Sequence, residues 1–315
     1  MQAPNLALGA HLDGYAGIPS FMRQPVTRDL SGVDVAIVGI PFDGGAVSNR
    51  SGARMGPRKV REASLIMWGY HPQFQVTPHQ ELRIVDYGDV AVQPTNIDET
   101  MASISATARE ILGQGPKLLA LGGDHSITLP LLRAHAAKFG PLAVIQFDSH
   151  VDTEAGGFQH GTPFRFAIEE GLIDTQAFVQ VGIRGPLGNA DDVEDARRLG
   201  AQVLTIDACF EMGIPVVIQR IREVIGERLA YVSLDIDAVD PAYAPATGTP
   251  EVGGFSSYQI VKLVQGLRGL NLVGFDLVEV CPPYDCGDIT SILAANLAFQ
   301  FLGLLALHKR GHDDR

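Results

Sequence analysis

The stretch LAVIQFDSHVDTE, residues 142–154, places five apolar side chains in its first six positions and then Asp148, His150 and Asp152 at alternate positions. In an extended chain, residues i, i+2 and i+4 share one face. Two carboxylates and an imidazole are therefore expected to point the same way at the end of a buried strand. Such groups repel one another, or compete for protons, unless a cation holds them. Three other apolar stretches end in the same manner: KLLALGG runs into Asp124 and His125, LAYVSL into Asp235, Asp237 and Asp240, and NLVGFDLV into Glu279.

Taken as ligands, His125, Asp148, His150, Asp152, Asp235 and Asp237 include four carboxylates, and two divalent cations balance those four negative charges. Two ions about 3.5–4 Å apart can share a water and lower its pKa from about 15.7 towards about 7. Oxygen and imidazole donors without thiolate favour manganese, with nickel or cobalt as other candidates. A lone Asp-x-His-x-Asp is commonly a solvated strand end; the argument rests on several such ends occurring together, because clustered buried carboxylates left unpaired cost several kcal/mol each. Gly122 and Gly123 form no phosphate loop, since neither Gly-Lys-Ser nor a G-x-G-x-x-G follows. His71, His79 and His135 have no comparable neighbours and read as structural or exposed.

The elements that must position these residues are short apolar runs at 33–40, 82–88, 117–123, 142–147, 177–183, 201–206, 229–234 and 271–280. Most are continuous rather than alternating, the pattern of strands buried on both faces of a parallel sheet. Helical patterns fall between them, at 100–112, 127–139, 191–199, 217–225, 257–267 and 289–307. The alternation predicts a single three-layer α/β domain over residues 31–310, with a central, eight-stranded, mostly parallel sheet, preceded by an amino-terminal arm of residues 1–30. Ligands of open α/β sheets bind beyond the carboxyl ends of the strands, which is where the acids and histidines fall.

The 315 residues are 46% hydrophobic and 19% charged, with a net charge of −12, which disfavours nucleic acid and anionic membrane surfaces as partners. Cys209, Cys281 and Cys286 are too few for a disulfide framework, and Cys281 and Cys286 lack the second pair that would complete a zinc site. With no signal peptide and no membrane-spanning apolar run evident, a cytoplasmic protein is expected.

The chain resembles the ureohydrolases, the family of arginase, agmatinase and guanidinobutyrase. The resemblance lies in GGDHS (122–126), FDSHVDT (147–153), HGTPFRFAIEEGL (160–172), SLDIDAVDPAYAPATGTPEVGG (233–254) and DLVEVCPPYD (276–285), and runs from about Gly14 to Leu307. It implies an arginase-like fold and a hydrolase that releases urea from a small guanidino substrate with two divalent ions per chain. By motif, His125, Asp148, Asp152 and Asp235 hold one ion, and Asp148, His150, Asp235 and Asp237 the other. His160 is implied as the proton shuttle and Glu279 as the partner of the guanidinium. The resemblance also implies a homo-oligomer, a trimer or hexamer. HGTPFR and PATGTPEVGG are most similar to the agmatinase and guanidino-acid hydrolase branch. Departures from the common pattern are Ser149 where Ala is usual, Ala246 where Gly is usual, and a short loop from Thr153 to Gln159. An agmatinase-like activity is therefore expected. The alternatives are a guanidinobutyrase or guanidinopropionase type, for whose acid tail Asn49 and Arg50 are candidates, and a hydrolase of small N-substituted guanidines. A related single-zinc amide hydrolase is disfavoured by the two-ion ligand set and Glu279, and a non-catalytic partner subunit by the complete ligand set with His160.

Overall fold

The apolar runs become eight strands in the computed structural model, which describes residues 16–310: β1 (Val35–Gly39), β2 (Ile84–Asp89), β3 (Lys117–Leu121), β4 (Leu142–Phe147), β5 (Ile173–Ile183), β6 (Gln202–Thr205), β7 (Leu229–Asp235) and β8 (Asn271–Val278). They form one sheet in the order β2-β1-β3-β8-β7-β4-β5-β6. Every pairing is parallel, so the sheet is all-parallel rather than mostly so. Between the strands lie α1 (Gly56–Ser64), α2 (Pro78–Glu81), α3 (Ile97–Gly113), α4 (Thr128–Phe139), α5 (Pro163–Glu169), α6 (Asp192–Arg198), α7 (Ile206–Met212), α8 (Ile214–Ile225), α9 (Ser257–Gln265) and α10 (Ile289–Arg310). All six helices expected from the sequence are present. The four not foreseen, α1, α2, α5 and α7, have nine residues or fewer.

Side-chain alternation along the strands builds two cores. Val35, Ile37, Leu119, Leu121, Ile145 and Val232 face one side, packed under α1, α7, α8, α9 and α10. Ala36, Val38, Leu118, Ala120, Val144 and Tyr231 face the other, under α3, α4, α5 and α6. This is the three-layer arrangement expected of a parallel sheet, whose crossovers place helices on both faces. Among the described residues, α10 is the one helix long and apolar enough to cross a membrane, a run the sequence reading did not recognise. Its apolar window is 83% buried inside the protein, as befits a core helix.

Of the expected amino-terminal arm, residues 1–15 lie outside the described residues. The rest is anchored to the sheet edge. Phe21 is buried, its N–H donates to Asp86 Oδ2 at 2.9 Å, and Met22 N donates to Ser64 Oγ at 2.7 Å. Arg61 of α1 completes this corner with a two-pronged contact to Asp86, Nε to Oδ2 at 2.8 Å and Nη2 to Oδ1 at 2.9 Å, and a third bond to Asp89 at 2.6 Å. Arg61 and Asp86 are both buried, so removing one strands the other's charge. Arg61→Ala is expected to lower unfolding free energy by about 3–5 kcal/mol, read as a lower urea midpoint; a loss below about 1 kcal/mol would show that the corner is dispensable.

Candidate metal centre

The strands β3, β8, β7 and β4 are consecutive neighbours in the middle of the sheet; the chain at or just beyond their carboxyl ends carries the six candidate ligands and Glu279, while His160 comes from the loop between β4 and α5. The chain leaves these ends in tight turns rather than continuing extended. β4 stops at Phe147, and Asp148 Oδ1 then accepts the His150 N–H at 2.7 Å. Asp235 Oδ1 accepts the Asp237 N–H at 2.9 Å, and Asp124 Oδ1 the Ser126 N–H at 3.0 Å. An aspartate bonding the N–H two residues on is an Asx turn. The expected convergence of Asp148, His150 and Asp152 is therefore present, but it comes from folding the chain over the strand end, not from a shared strand face. Asp152 and Glu279 take left-handed φ angles of 48° and 62°, a strained conformation for residues with side chains. The Phe164 N–H on Asp152 O and the Glu279 N–H on Gly123 O hold them there. Gly123 must be glycine, because a Cβ would sit 1.6 Å from the Phe42 carbonyl oxygen.

Two groups of ligand atoms result. Atoms of His125, Asp148 and Asp235 lie within 4.8 Å of one another, as do atoms of Asp148, His150 and Asp237, so Asp148 is common to both. Asp152 adjoins the first group, its Oδ2 2.7 Å from His125 Nδ1. Asp235 contacts His125 at 3.3 Å but falls outside the second group. Asp240, by contrast, caps the loop ahead of α9 by accepting the Gly253 and Gly254 N–H groups.

The residues fit a pair of cations on the evidence of their own chemistry. Ser233 Oγ donates to Asp276 Oδ1 at 2.6 Å, so it accepts from His125 Nε2 at 2.8 Å and fixes the ring proton there. His125 Nδ1 is left as a buried lone pair without a hydrogen-bond partner, facing oxygens of Asp148, Asp152 and Asp235 at 2.7–3.3 Å. Lone pairs facing lone pairs is the donor set of a cation site. Without a cation, protons must neutralise the cluster. Burial together with the charges of Asp237 and Asp148 pushes Asp235 well above the usual carboxylate range, and burial together with Asp148 raises Asp152 to about 6. Burial pulls the Asp148 carboxyl upward, but the proton that His125 Nδ1 takes on when no cation is there, together with His150, outweighs it and holds the carboxyl far below that range.

Beneath the ligands lies a row the sequence reading missed. Gln180, Gln146, Ser233 and Asp276 stand opposite one another across β5, β4, β7 and β8. Gln146 donates to Asp148 Oδ2 at 2.8 Å and accepts from Gln180 at 2.7 Å. Asp276 also accepts the hydroxyls of Tyr231 and Thr128, at 2.7 and 3.0 Å. The available signal was a polar residue at the same depth in each of four apolar strands. Arg184 was missed too. It leaves β5 and donates to the carbonyls of Asp237 and Glu251, both at 2.7 Å, pinning the segment that carries Asp237.

His160 and Glu279 sit beside the ligands. His160 Nδ1 is 2.9 Å from Glu279 Oε1, which also accepts the His125 N–H at 3.0 Å. His160 Nε2 accepts the Val47 N–H at 3.3 Å. Burial opposes charge on His160, but the hydrogen bond and attraction of Glu279, helped by Asp152 and Asp124, outweigh it and raise the imidazole to about 9. Arg50 does not stand free for an acidic tail: its guanidinium donates to the Thr247 and Pro245 carbonyls and lies 3.9 Å over the Tyr284 ring. Ala246 needs no left-handed φ; it is buried, takes a bond from the Cys281 N–H and donates to Thr290. His71 and His135 are buried and structural, and His79 is exposed.

Comparison with known proteins agrees with this geometry. The profile of the Arginase family matches residues 33–303. Guanidinopropionase from Pseudomonas aeruginosa is 43% identical over 302 residues, covering 94% of each chain. Agmatinase from Chromobacterium violaceum is 44% identical over 303 residues, covering 92% of this chain and 89% of its own. The structure of proclavaminate amidino hydrolase from Streptomyces clavuligerus superposes with a TM-score of 0.89 at 42% identity, covering 93% of this chain and 98% of that one.

The contact that fixes the His125 ring can be tested without any ligand. Ser233→Ala leaves the buried Nε2–H unsatisfied and is expected to destabilise the metal-free protein by about 1–3 kcal/mol in chemical unfolding. Unchanged stability would mean that the ring finds another partner and that its tautomer is not set by Ser233.

Proposed function

The chain belongs to the arginase family, and from that premise we propose that it is an amidinohydrolase, agmatinase-like, that uses two divalent cations per chain to split a guanidino compound into an amine and urea. The observation that carries this reading is the pair of ligand groups sharing Asp148, with Glu279 and His160 alongside. In this assignment His125, Asp148, Asp152 and Asp235 hold one ion and Asp148, His150, Asp235 and Asp237 the other, with manganese favoured over nickel or cobalt by the oxygen-rich donors. Such a pair of ions, when bound, supplies the Lewis acidity that makes water a nucleophile at neutral pH.

The remaining work falls to Glu279 and His160. A guanidinium is planar and cationic, with paired N–H donors that suit a carboxylate. Glu279 is buried; its Oε1 is engaged by His125 N and His160, while Oε2 accepts no hydrogen bond among the described residues and is left for the substrate. Held there, the guanidinium carbon lies beside the acid cluster. The leaving nitrogen departs only as an amine, so it needs a proton, and His160 is the acid. Its raised pKa keeps it charged up to about 9, and charging turns Nε2 from an acceptor of the Val47 N–H into a donor, which releases that contact and frees the proton for transfer.

For the far end of the substrate, the engagement of Arg50 removes the main cationic candidate for an acid tail, which supports an agmatinase-like preference over a guanidino acid. Residues 31–310 are assigned as the catalytic domain and residues 1–30 as the arm. A trimer or hexamer is assigned as well, supported by the strongly exposed run of Ile66, Trp68 and Tyr70 after α1. The free thiols of Cys209, Cys281 and Cys286 support a cytoplasmic setting.

Elemental analysis is expected to find two divalent ions per chain, and chelation to abolish urea release; one ion or none in an active preparation overturns the two-ion reading. His160→Ala is expected to lower kcat by about 10²–10⁴-fold with both ions retained. Wild-type kcat should fall as pH rises through about 9, where His160 loses its proton, and this limb should vanish in the variant; an identical profile would remove His160 from proton transfer. In competition at equal concentration, agmatine should show a higher kcat/KM than 4-guanidinobutyrate, 3-guanidinopropionate, arginine or small alkylguanidines. A preference for arginine would refute the branch assignment, and activity on alkylguanidines alone would assign specificity to the short 153–159 loop.

A further inference from the structure

Ser149 stands between two candidate ligands, His150 and Asp237. Its side chain is buried. Its N–H and its hydroxyl both donate to the same oxygen of Asp237, Oδ1, at 3.1 and 2.8 Å. An ionised carboxylate oxygen has two lone-pair sites, so Ser149 occupies both sites of Oδ1. The other oxygen, Oδ2, is thereby turned to His150, 3.1 Å from Nδ1, and among the described residues it accepts one long hydrogen bond, from Thr249 Oγ1 at 3.3 Å. The Ser149 Oγ also lies 3.1 Å from His150 Nδ1. With its proton committed to Asp237, that oxygen can offer His150 only lone pairs, so it cannot take the place of a cation there. The backbone at this point is fixed independently, because Arg184 N donates to Ser149 O at 2.9 Å.

We propose that Ser149 is a positioning residue for the second ion: its hydroxyl locks the Asp237 carboxylate in the plane that presents Oδ2, and only Oδ2, toward the His150 side of the centre. The proposal rests on the two-ion reading above. Alanine keeps the N–H donor but loses the hydroxyl, which frees Oδ1 and lets the carboxylate rotate. Groups that orient ligands in this way typically change metal affinity by about 10–100-fold when lost. The first group, His125, Asp148 and Asp235, receives no bond from Ser149, so the effect is confined to one of two binding steps.

The test is stepwise Mn²⁺ titration of metal-free wild type and Ser149→Ala against a chelating competitor, with the spin-coupled signal of the ion pair followed by electron paramagnetic resonance. The expected result is that one of the two Kd values is unchanged and the other is raised by about tenfold, with the paired signal appearing only at higher free Mn²⁺. Ser149→Gly removes the same hydroxyl and must shift the same step in the same direction. Two unchanged constants in the variant overturn the proposal, as does weakening of both steps together, which would mark a general loosening. Wild type that takes up fewer than two ions would bring down the two-ion reading itself and this inference with it, so the two failures are told apart by the wild-type titration alone.

Discussion

Four carboxylates buried within a few ångströms of one another cannot all keep their charge unless positive charge lies among them. Removing an ionised acid from water costs several kcal/mol even after the protein relaxes, and each neighbour of like sign adds to that cost. Asp148, Asp152, Asp235 and Asp237 are all buried here. The surroundings can be read as answers to this constraint. The Asx turns at Asp148 and Asp235 each spend one oxygen of the aspartate on a backbone N–H and turn the second toward the cluster. Gln146 steadies Asp148 without adding charge. The two histidines stand among the acids, one of them with its only free nitrogen turned inward.

The layer below the ligands meets the same constraint at one remove. Asp276 is a further buried acid in this region, and burial raises its pKa. Its oxygens accept three hydroxyls. Those hydroxyls give it neutral donors while passing orientation upward, through Ser233, to the His125 ring. The parallel sheet makes such a stack natural, since residues two apart on one strand share a face: Gln146 lies under Asp148 and Ser233 under Asp235.

Much of this was legible in the sequence because the fold and the site speak through the same signal. Continuous apolar runs mark strands buried on both faces, and the residues that interrupt them at their carboxyl ends are the ligands; both are local patterns. The eight runs and six of the helices could be read directly, and so could Asp148, His150 and their partners. What escaped reading was non-local or short. The four-residue α2 has too few turns for periodicity to register. Gln146 and Ser233 look like isolated polar blemishes until strand order places them side by side, and that order is set by pairing across more than eighty residues of sequence. The Arg50 side chain looked available because its occupants, the Pro245 and Thr247 carbonyls and the Tyr284 ring, lie some two hundred residues away. The turn at Asp148 was misjudged for a different reason: alternate spacing is shared by a strand face and by an Asx turn, and both bring residues i and i+2 together.

The strand order carries a consequence for how the centre comes into being. Before β8 is in place, β2-β1-β3 and β7-β4-β5-β6 share no strand pairing and are two separate sheets. The group of Asp148, His150 and Asp237 belongs wholly to the second of them, whereas the group of His125, Asp148 and Asp235 spans the seam that β8 closes. On the ribosome, amino-terminal parts are free to fold first, yet β8 is the last strand made. One half of the centre can take shape on the nascent chain; the other waits for the carboxyl-terminal segment to emerge. The same seam, if it opens in the finished protein, would dismantle the two halves unequally, sparing the His150 side and uncoupling His125.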